Sequence, residues 1–149
     1  MTKALPSKSL VLYADDDNDD IELVRELFAD FEAVVKLVTF PNGKALLEYI
    51  TLLPPLLPQP SLVILDINMP VQDGLHTLKA LRQLDDMQHV PVVLFTTSNM
   101  PHEESVAKSL GAGFITKPVY ADQLHQIVDQ MLHYCHDDFK KKIERHRGR

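Results

Sequence analysis

Cysteine is nearly absent. Cys135 stands alone, so no internal disulfide can form, and the chain fits a reducing compartment. Its place near the end of an apolar helical pattern points to packing or partial exposure rather than catalysis. No apolar run approaches the ~20 residues needed to cross a bilayer, and residues 1–9 lack the apolar stretch of a secretory signal. These absences predict a soluble cytoplasmic protein with no membrane contact. A basic excess is also missing from the body. The formal net charge is −6, which excludes a body built to track a nucleic-acid backbone. Positive charge collects at residues 140–149, where six Lys/Arg oppose Glu144 and leave about −11 on the remainder. This end reads as a frayed, solvated basic tail. A basic tail can also bind nucleic acid or an acidic partner. No repeat of solenoid length is visible. At 149 residues, 45% hydrophobic and 24% charged, the chain is sized for one domain with a single core.

What is present is an alternation. Short apolar runs at residues 10–14, 34–40, 62–65, 91–95 and 114–116 read as buried strands. Between them lie helical spacings. Ile21, Val24, Leu27, Phe28 and Phe31 share one side, and Asn18 or Asp19 is placed to cap that helix. Further helices are predicted at 44–53, around Leu75, Leu78, Leu81 and Leu84, from Pro101 or Glu103 to Leu110, and at 121–134. Pro54, Pro55, Pro58 and Pro60 cannot lie inside a helix or a central strand, so this stretch is a stiff surface loop. Five βα units predict an α/β fold, with a parallel sheet covered by helices on both faces.

The polar residues fall at strand ends. Asp15 and Asp16 follow the first strand, Asp66 the third, Thr96 the fourth and Lys117 the fifth. In open parallel sheets this rim is where ligands bind. Three carboxylates gathered there would repel unless a cation intervenes. Mg²⁺ suits such a site, because it prefers oxygen ligands and accepts one or two protein carboxylates directly. The Asp66 carboxylate can attack phosphorus, Lys117 can neutralise a transferring group, and the Thr96 hydroxyl can bond a phosphoryl oxygen. Each element alone is common. Their placement at four separate strand ends singles out Asp66 as a phosphoryl acceptor.

The chain resembles the receiver domain of two-component response regulators, the single-domain kind seen in chemotaxis regulators. Carrying the resemblance in order are Asp15-Asp16, Asp66-Ile67-Asn68-Met69-Pro70, Asp73-Gly74, Thr96 and Lys117-Pro118. It divides the chain into an N-terminal extension (1–9), a receiver domain (10–135) and a basic tail (136–149). The family implies a doubly wound, flavodoxin-like five-stranded parallel sheet of order 2-1-3-4-5. It also implies that Asp66 takes a phosphoryl group from a sensor histidine kinase or phosphotransfer protein. By the same resemblance Asp16, Asp66 and the Asn68 backbone carbonyl would ligate Mg²⁺, with Asp15 helping through a water. Lys117 would contact the phosphoryl group, and the Lys117–Pro118 peptide would be cis. Thr96 and Phe114 occupy the switch positions, although Phe114 lacks the hydroxyl that some members use and also reads as edge-strand packing. Thr97 stands where a smaller residue is usual and would narrow access. The fourth helix, fifth strand and fifth helix form the family's usual docking or homodimer face. After Cys135 too few residues remain for a DNA-binding or enzymatic domain, so output is expected through a protein effector.

Two other functions share some of these residues. A pseudo-receiver would bind partners without phosphorylation. A haloacid-dehalogenase-type phosphohydrolase also uses an aspartate nucleophile, but it wants an Asp two residues later, where Asn68 stands. Flavin binding would call for a Ser/Thr/Gly-rich loop after the first strand, where this chain has an acidic run that repels phosphate.

Overall fold

A computed structural model describes residues 8–54, 58–118 and 123–147. Five strands, β1 (Ser9–Ala14), β2 (Val35–Phe40), β3 (Leu62–Leu65), β4 (Val92–Thr96) and β5 (Gly113–Thr116), alternate with α1 (Asn18–Ala29), α2 (Gly43–Leu52), α3 (Gly74–Gln83), α4 (Pro101–Ser109) and α5 (Leu124–Leu132). A 3₁₀ turn at Asp85–Met87 precedes β4, and α6 (Asp137–His146) follows α5. All neighbouring strands pair in parallel, in the order β2-β1-β3-β4-β5, the order expected from the sequence.

Alternate strand residues feed two apolar layers, because successive side chains point to opposite faces. Val11, Tyr13, Ile64 and Phe95 pack against α1 through Val24 and Phe28 and against α5 through Ile127 and Met131. Leu12, Ala14, Leu65 and Leu94 pack against α2 through Leu46, α3 through Leu78 and Leu81, and α4 through Ala107. Both faces are covered, which is why the central strands β1, β3 and β4 read as apolar runs instead of alternating ones, while the edge strand β2 exposes Lys36.

Helix ends differ from expectation at one point that matters later. The N-cap of α1 is Asp17, not Asn18 or Asp19. Its carboxylate accepts the backbone N–H groups of Asp19 (2.8 Å) and Asp20 (3.3 Å). With Asp17 as the cap, Asp20 is the third residue of the first turn. At the other end of the domain, Arg82 joins three segments. Its Nε donates to the Leu110 carbonyl (2.8 Å), Nη1 to those of Met87 and Val90 (2.8 Å each), and Nη2 to that of Gly111 (3.3 Å). Gly111 has φ +70°, the left-handed conformation that terminates α4 and that glycine adopts without a Cβ penalty.

Residues 136–149 were expected as a solvated tail, yet 137–146 form α6. Phe139 (3% exposed) and Ile143 (0%) complete the apolar layer of α1 and α5. One helical turn separates them, so they share a side while Lys141 and Arg145 stay in solvent. The abundance of charge had concealed a two-residue apolar stripe. The helix is also tied at both ends. The His136 ring bonds the His89 carbonyl (3.0 Å), the His146 ring bonds the Asp30 carbonyl (2.6 Å), and Arg147 Nη1 donates to Asp129 (2.8 Å). Four expected features lie wholly or partly outside the described residues: the N-terminal extension up to residue 7, the middle of the proline loop at 55–57, the start of the last predicted helix at 121–122, and the end of the basic tail at 148–149.

If α6 is part of the core, Ile143→Ala will cost about 2–5 kcal/mol, the usual range for emptying a buried aliphatic site. Urea unfolding measures it. A loss under ~0.5 kcal/mol, typical of surface positions, would return the segment to the status of a tail.

Candidate functional site

The chain leaves β1 toward β2 on one side, and β3, β4 and β5 continue on the other. The crevice where the order reverses, between β1 and β3, is where doubly wound sheets accept ligands. Asp15 immediately follows β1, and its N–H bonds the Phe40 carbonyl at 3.0 Å. Asp66 immediately follows β3, and its N–H bonds the Ala14 carbonyl, also at 3.0 Å. The sheet ladder thus fixes both backbones at the crevice. Asp15 is fully buried, Asp66 is 6% exposed, and Asp16 is exposed to solvent. One carboxylate oxygen from each lies within 4.8 Å of those of the other two.

Lys117 enters this acidic crevice from the end of β5, where its N–H bonds the Thr96 carbonyl (2.8 Å). Its buried ammonium donates to Asp15 Oδ2 (2.8 Å) and Asp20 Oδ2 (2.7 Å) and lies 3.5 Å from Asp66 Oδ2. Asp15 also accepts the Asp17 N–H (2.9 Å) and the Tyr13 hydroxyl. Asp66 Oδ1 accepts the Ile67 N–H at 2.9 Å. Thr96 is buried at the end of β4, and its hydroxyl oxygen accepts the Ser98 N–H (3.1 Å).

The loop after Asp66 is braced from α3. A Cβ on Gly74 would stand 2.2 Å from the Asp66 carbonyl oxygen, so only glycine lets α3 begin against the Asp66 backbone. The Gly74 N–H bonds the Ile67 carbonyl (2.9 Å), and Asp73 caps α3 through the His76 N–H (2.8 Å). Those His76 contacts outweigh burial and hold the Asp73 carboxyl below its ordinary range. Between them Val71, with φ +68°, centres a tight turn closed by the Gln72 N–H on the Pro70 carbonyl (2.7 Å). A β-branched residue in that conformation is strained.

Burial is the strongest influence on Asp66 and favours its neutral form. Lys117 and the Ile67 N–H oppose this, Asp15 adds to it, and the acid is raised from about 3.8 to about 6. For Lys117, burial favours the neutral amine, but the bonds to Asp15 and Asp20 outweigh it and raise the group above its ordinary value. Tyr13 is likewise pushed above the usual phenol range, by burial first and by Asp15 second.

The structure therefore brings Asp15, Asp16, Asp66 and Lys117 together. It places Thr96 on the same rim, at the end of the neighbouring strand. Asn68 and Thr97 are exposed in the flanking loops. Phe114 lies half-buried on the edge strand β5, packs on the α2–α4 layer, and lines an open groove of about 500 Å³ with Tyr134. The Lys117–Pro118 peptide corrects the expectation of a cis bond, since none occurs among the described residues. The trans isomer is the default of X–Pro bonds by ~0.5–1 kcal/mol, and from it the Lys117 ammonium already reaches the carboxylates. Two site residues were not anticipated. Asp20 lies in the first turn of α1, three positions after its cap Asp17, and Tyr13 is a buried phenol that must find a partner.

The sequence matches the model of the response regulator receiver domain family over residues 11–129. The chain belongs to that family. This receiver is 33% identical over 128 residues to an uncharacterized 14.6 kDa protein of Leptolyngbya boryana, covering 84% of this chain and 88% of the other. Its fold superimposes on the phosphorylated cyanobacterial phytochrome response regulator RcpA with a TM-score of 0.76, at 25% identity over 87% of this chain and 94% of that one. It also superimposes on the Mn²⁺-bound form of response regulator Rcp1 with a TM-score of 0.73, at 25% identity over 85% and 93%. Other relatives are much longer. The receiver spans 16% of the phosphodiesterase regA of Dictyostelium discoideum, 41% of CheV2 of Helicobacter pylori and 12% of the sensor kinase GacS of Pseudomonas protegens. Among the described residues no helix is long and apolar enough to cross a membrane.

The raised pKa of Asp66 makes stability depend on pH. Folding favours the protonated acid, so the group's contribution is most favourable below about pH 3.8, weakens as pH rises toward 6, and stays unfavourable above. Asp66→Asn, neutral throughout, should therefore be more stable than wild type by about 1–3 kcal/mol at pH 7.5, with the gain gone near pH 3.5. Urea titrations of metal-free protein at the two pH values give the comparison. A variant that is less stable at pH 7.5 would contradict this electrostatic account.

Proposed function

We propose that this receiver is a phosphorylation-controlled switch in which Asp66 is the acceptor. The observation that carries this is the crevice itself: a buried carboxylate with two further carboxylates within 4.8 Å and a lysine ammonium at 3.5 Å. With a pKa of about 6, more than about nine-tenths of Asp66 is ionised at pH 7.5, so the nucleophile is available. One of its oxygens attacks the phosphorus of a phosphohistidine on a sensor histidine kinase or phosphotransfer protein. The O–P bond forms as the P–N bond breaks, and the imidazole leaves and takes its proton from water.

The oxygen donors suit a small hard cation, since one carboxylate oxygen from each of Asp15, Asp16 and Asp66 lies within 4.8 Å of the other two and such cations take oxygen ligands. Asp16 and Asp66, with the Asn68 carbonyl, would hold Mg²⁺ directly, and Asp15 would do so through a water. Bound there, Mg²⁺ would supply charge stabilisation for the transferring oxygens. Lys117 neutralises the arriving phosphoryl group from the other side. The Thr96 hydroxyl then turns from Ser98 to a phosphoryl oxygen, and Phe114 repacks at the edge. The signal passes to a protein effector, or to a second copy, through the face of α4, β5 and α5, in a cytoplasmic setting. A pseudo-receiver would not need the buried acceptor beside its lysine, and Asn68 disfavours steady phosphohydrolase turnover.

Wild-type protein incubated with Mg²⁺ and acetyl phosphate should gain the mass of one phosphoryl group, and Asp66→Asn should not. No adduct on wild type, and no amide shifts with beryllofluoride, would leave a partner-binding module only. Mg²⁺ alone should also stabilise the fold, logarithmically with its concentration above Kd and by about 2.7 kcal/mol at a hundredfold excess, read as a rise in Tm. Asp16→Asn should remove most of that increment. An unchanged increment would take Asp16 out of the cation site.

A further inference from the structure

Lys117 is shared unequally. Its ammonium bonds Asp20 at 2.7 Å and Asp15 at 2.8 Å, whereas Asp66 is 3.5 Å away, beyond the normal range for a hydrogen bond of this kind. Asp15 is committed elsewhere through Tyr13 and the Asp17 N–H. Asp20 differs. It sits in the first turn of α1, its side chain is 27% exposed, and it is not one of the three carboxylates whose oxygens cluster for a cation. Its contact in the crevice is with the lysine, and it pulls the ammonium toward α1 and off the acceptor.

We propose that Asp20 is a positioning residue that holds Lys117 back in the resting receiver, and that phosphorylation transfers the lysine from Asp20 to the phosphoryl oxygens. This rests on the acceptor role of Asp66. Asp20 thereby sets how strongly the site takes a phosphoryl group without touching it. The charge relation gives the direction. An ammonium that must leave one carboxylate to serve a new anion serves it less tightly, so removing the Asp20 charge releases Lys117 for the phosphoryl group. The first turn of α1 also becomes a reporter of the switch, because Asp20 loses its cation when the site fills.

The test compares wild type, Asp20→Asn and Asp19→Asn in the full chain. Asp19 is the exposed neighbour in the same helical turn, so its variant removes an equal charge without touching the lysine. In Mg²⁺, beryllofluoride is titrated and followed by the amide resonances of Ile67 and Thr97. Mg²⁺ alone is titrated separately. Asp20→Asn should bind beryllofluoride about three- to tenfold more tightly than wild type, the scale of one partly exposed ion pair. Asp19→Asn should stay within about twofold, and the Mg²⁺ affinities of the two variants should agree. Beryllofluoride binding by Asp20→Asn that is no tighter than that of Asp19→Asn overturns the proposal. So does a loss of Mg²⁺ affinity confined to Asp20→Asn, which would make Asp20 part of the cation site. A second measurement needs no phosphoryl mimic. In metal-free protein the Lys117 side-chain ammonium resonance should move in Asp20→Asn and not in Asp19→Asn. An unmoved resonance overturns the proposal whatever beryllofluoride does. Failure of wild type to bind beryllofluoride, with the ammonium shift intact, would count against the phosphoryl-acceptor function instead.

Discussion

The crevice exists because one ammonium is buried among carboxylates. Asp15 and Asp66 are removed from water at adjacent strand ends, a placement that is strongly unfavourable for unpaired charges. Lys117 makes it tolerable, and its reach from β5 to α1 ties together elements almost a hundred residues apart. The bonds that keep the lysine charged also leave Asp66 as the incompletely compensated member. Its raised pKa is a measure of that imbalance, because a carboxylate with a full set of partners would be the stronger acid.

Much of the fold was legible because parallel sheets buried on both faces leave a simple trace. The run Leu62–Leu65 and its counterparts are apolar without alternation, and each is followed by a helical spacing. Strand order is a property of the family and not of any single run, so it came from the resemblance. Where local signals misled, the cause is identifiable. In α6 only Phe139 and Ile143 are buried in a segment dominated by Lys and Arg, and two apolar residues do not raise a charged stretch above the noise of a tail. At α1 the run from Asp15 to Asp20 offers several equivalent caps, and only the backbone of Asp17, extended at φ −95° and ψ 115°, decides among them.

Within the site, the residues legible in advance are those that end strands. Asp15, Asp66, Thr96 and Lys117 each follow or close an apolar run, so their convergence follows once the sheet is parallel. Asp20 and Tyr13 were missed for opposite reasons. Asp20 was hidden inside an acidic run that already had an explanation as a helix start, and Tyr13 was counted as one more apolar strand residue. Both reveal themselves only through a partner, Lys117 for one and Asp15 for the other. The isomer of Lys117–Pro118 was taken over from the family, and no residue pattern here had required it.

Arg82 gives the fold a mechanical asymmetry. Its guanidinium fastens the carbonyls of Leu110 and Gly111, just past the C-terminus of α4, to those of Met87 and Val90. The opposite end of α4 begins at Pro101 with no side-chain cap from Met100, and its tie to the end of β4 is a short relay in which the Ser98 hydroxyl donates to Glu103 and the Ser98 N–H to Thr96. Any displacement of α4 that preserves the four guanidinium bonds is a rotation about its far end. The helix is in this sense a lever with its fulcrum at Leu110, and Met100, more than half exposed, rides at the tip where the travel is greatest.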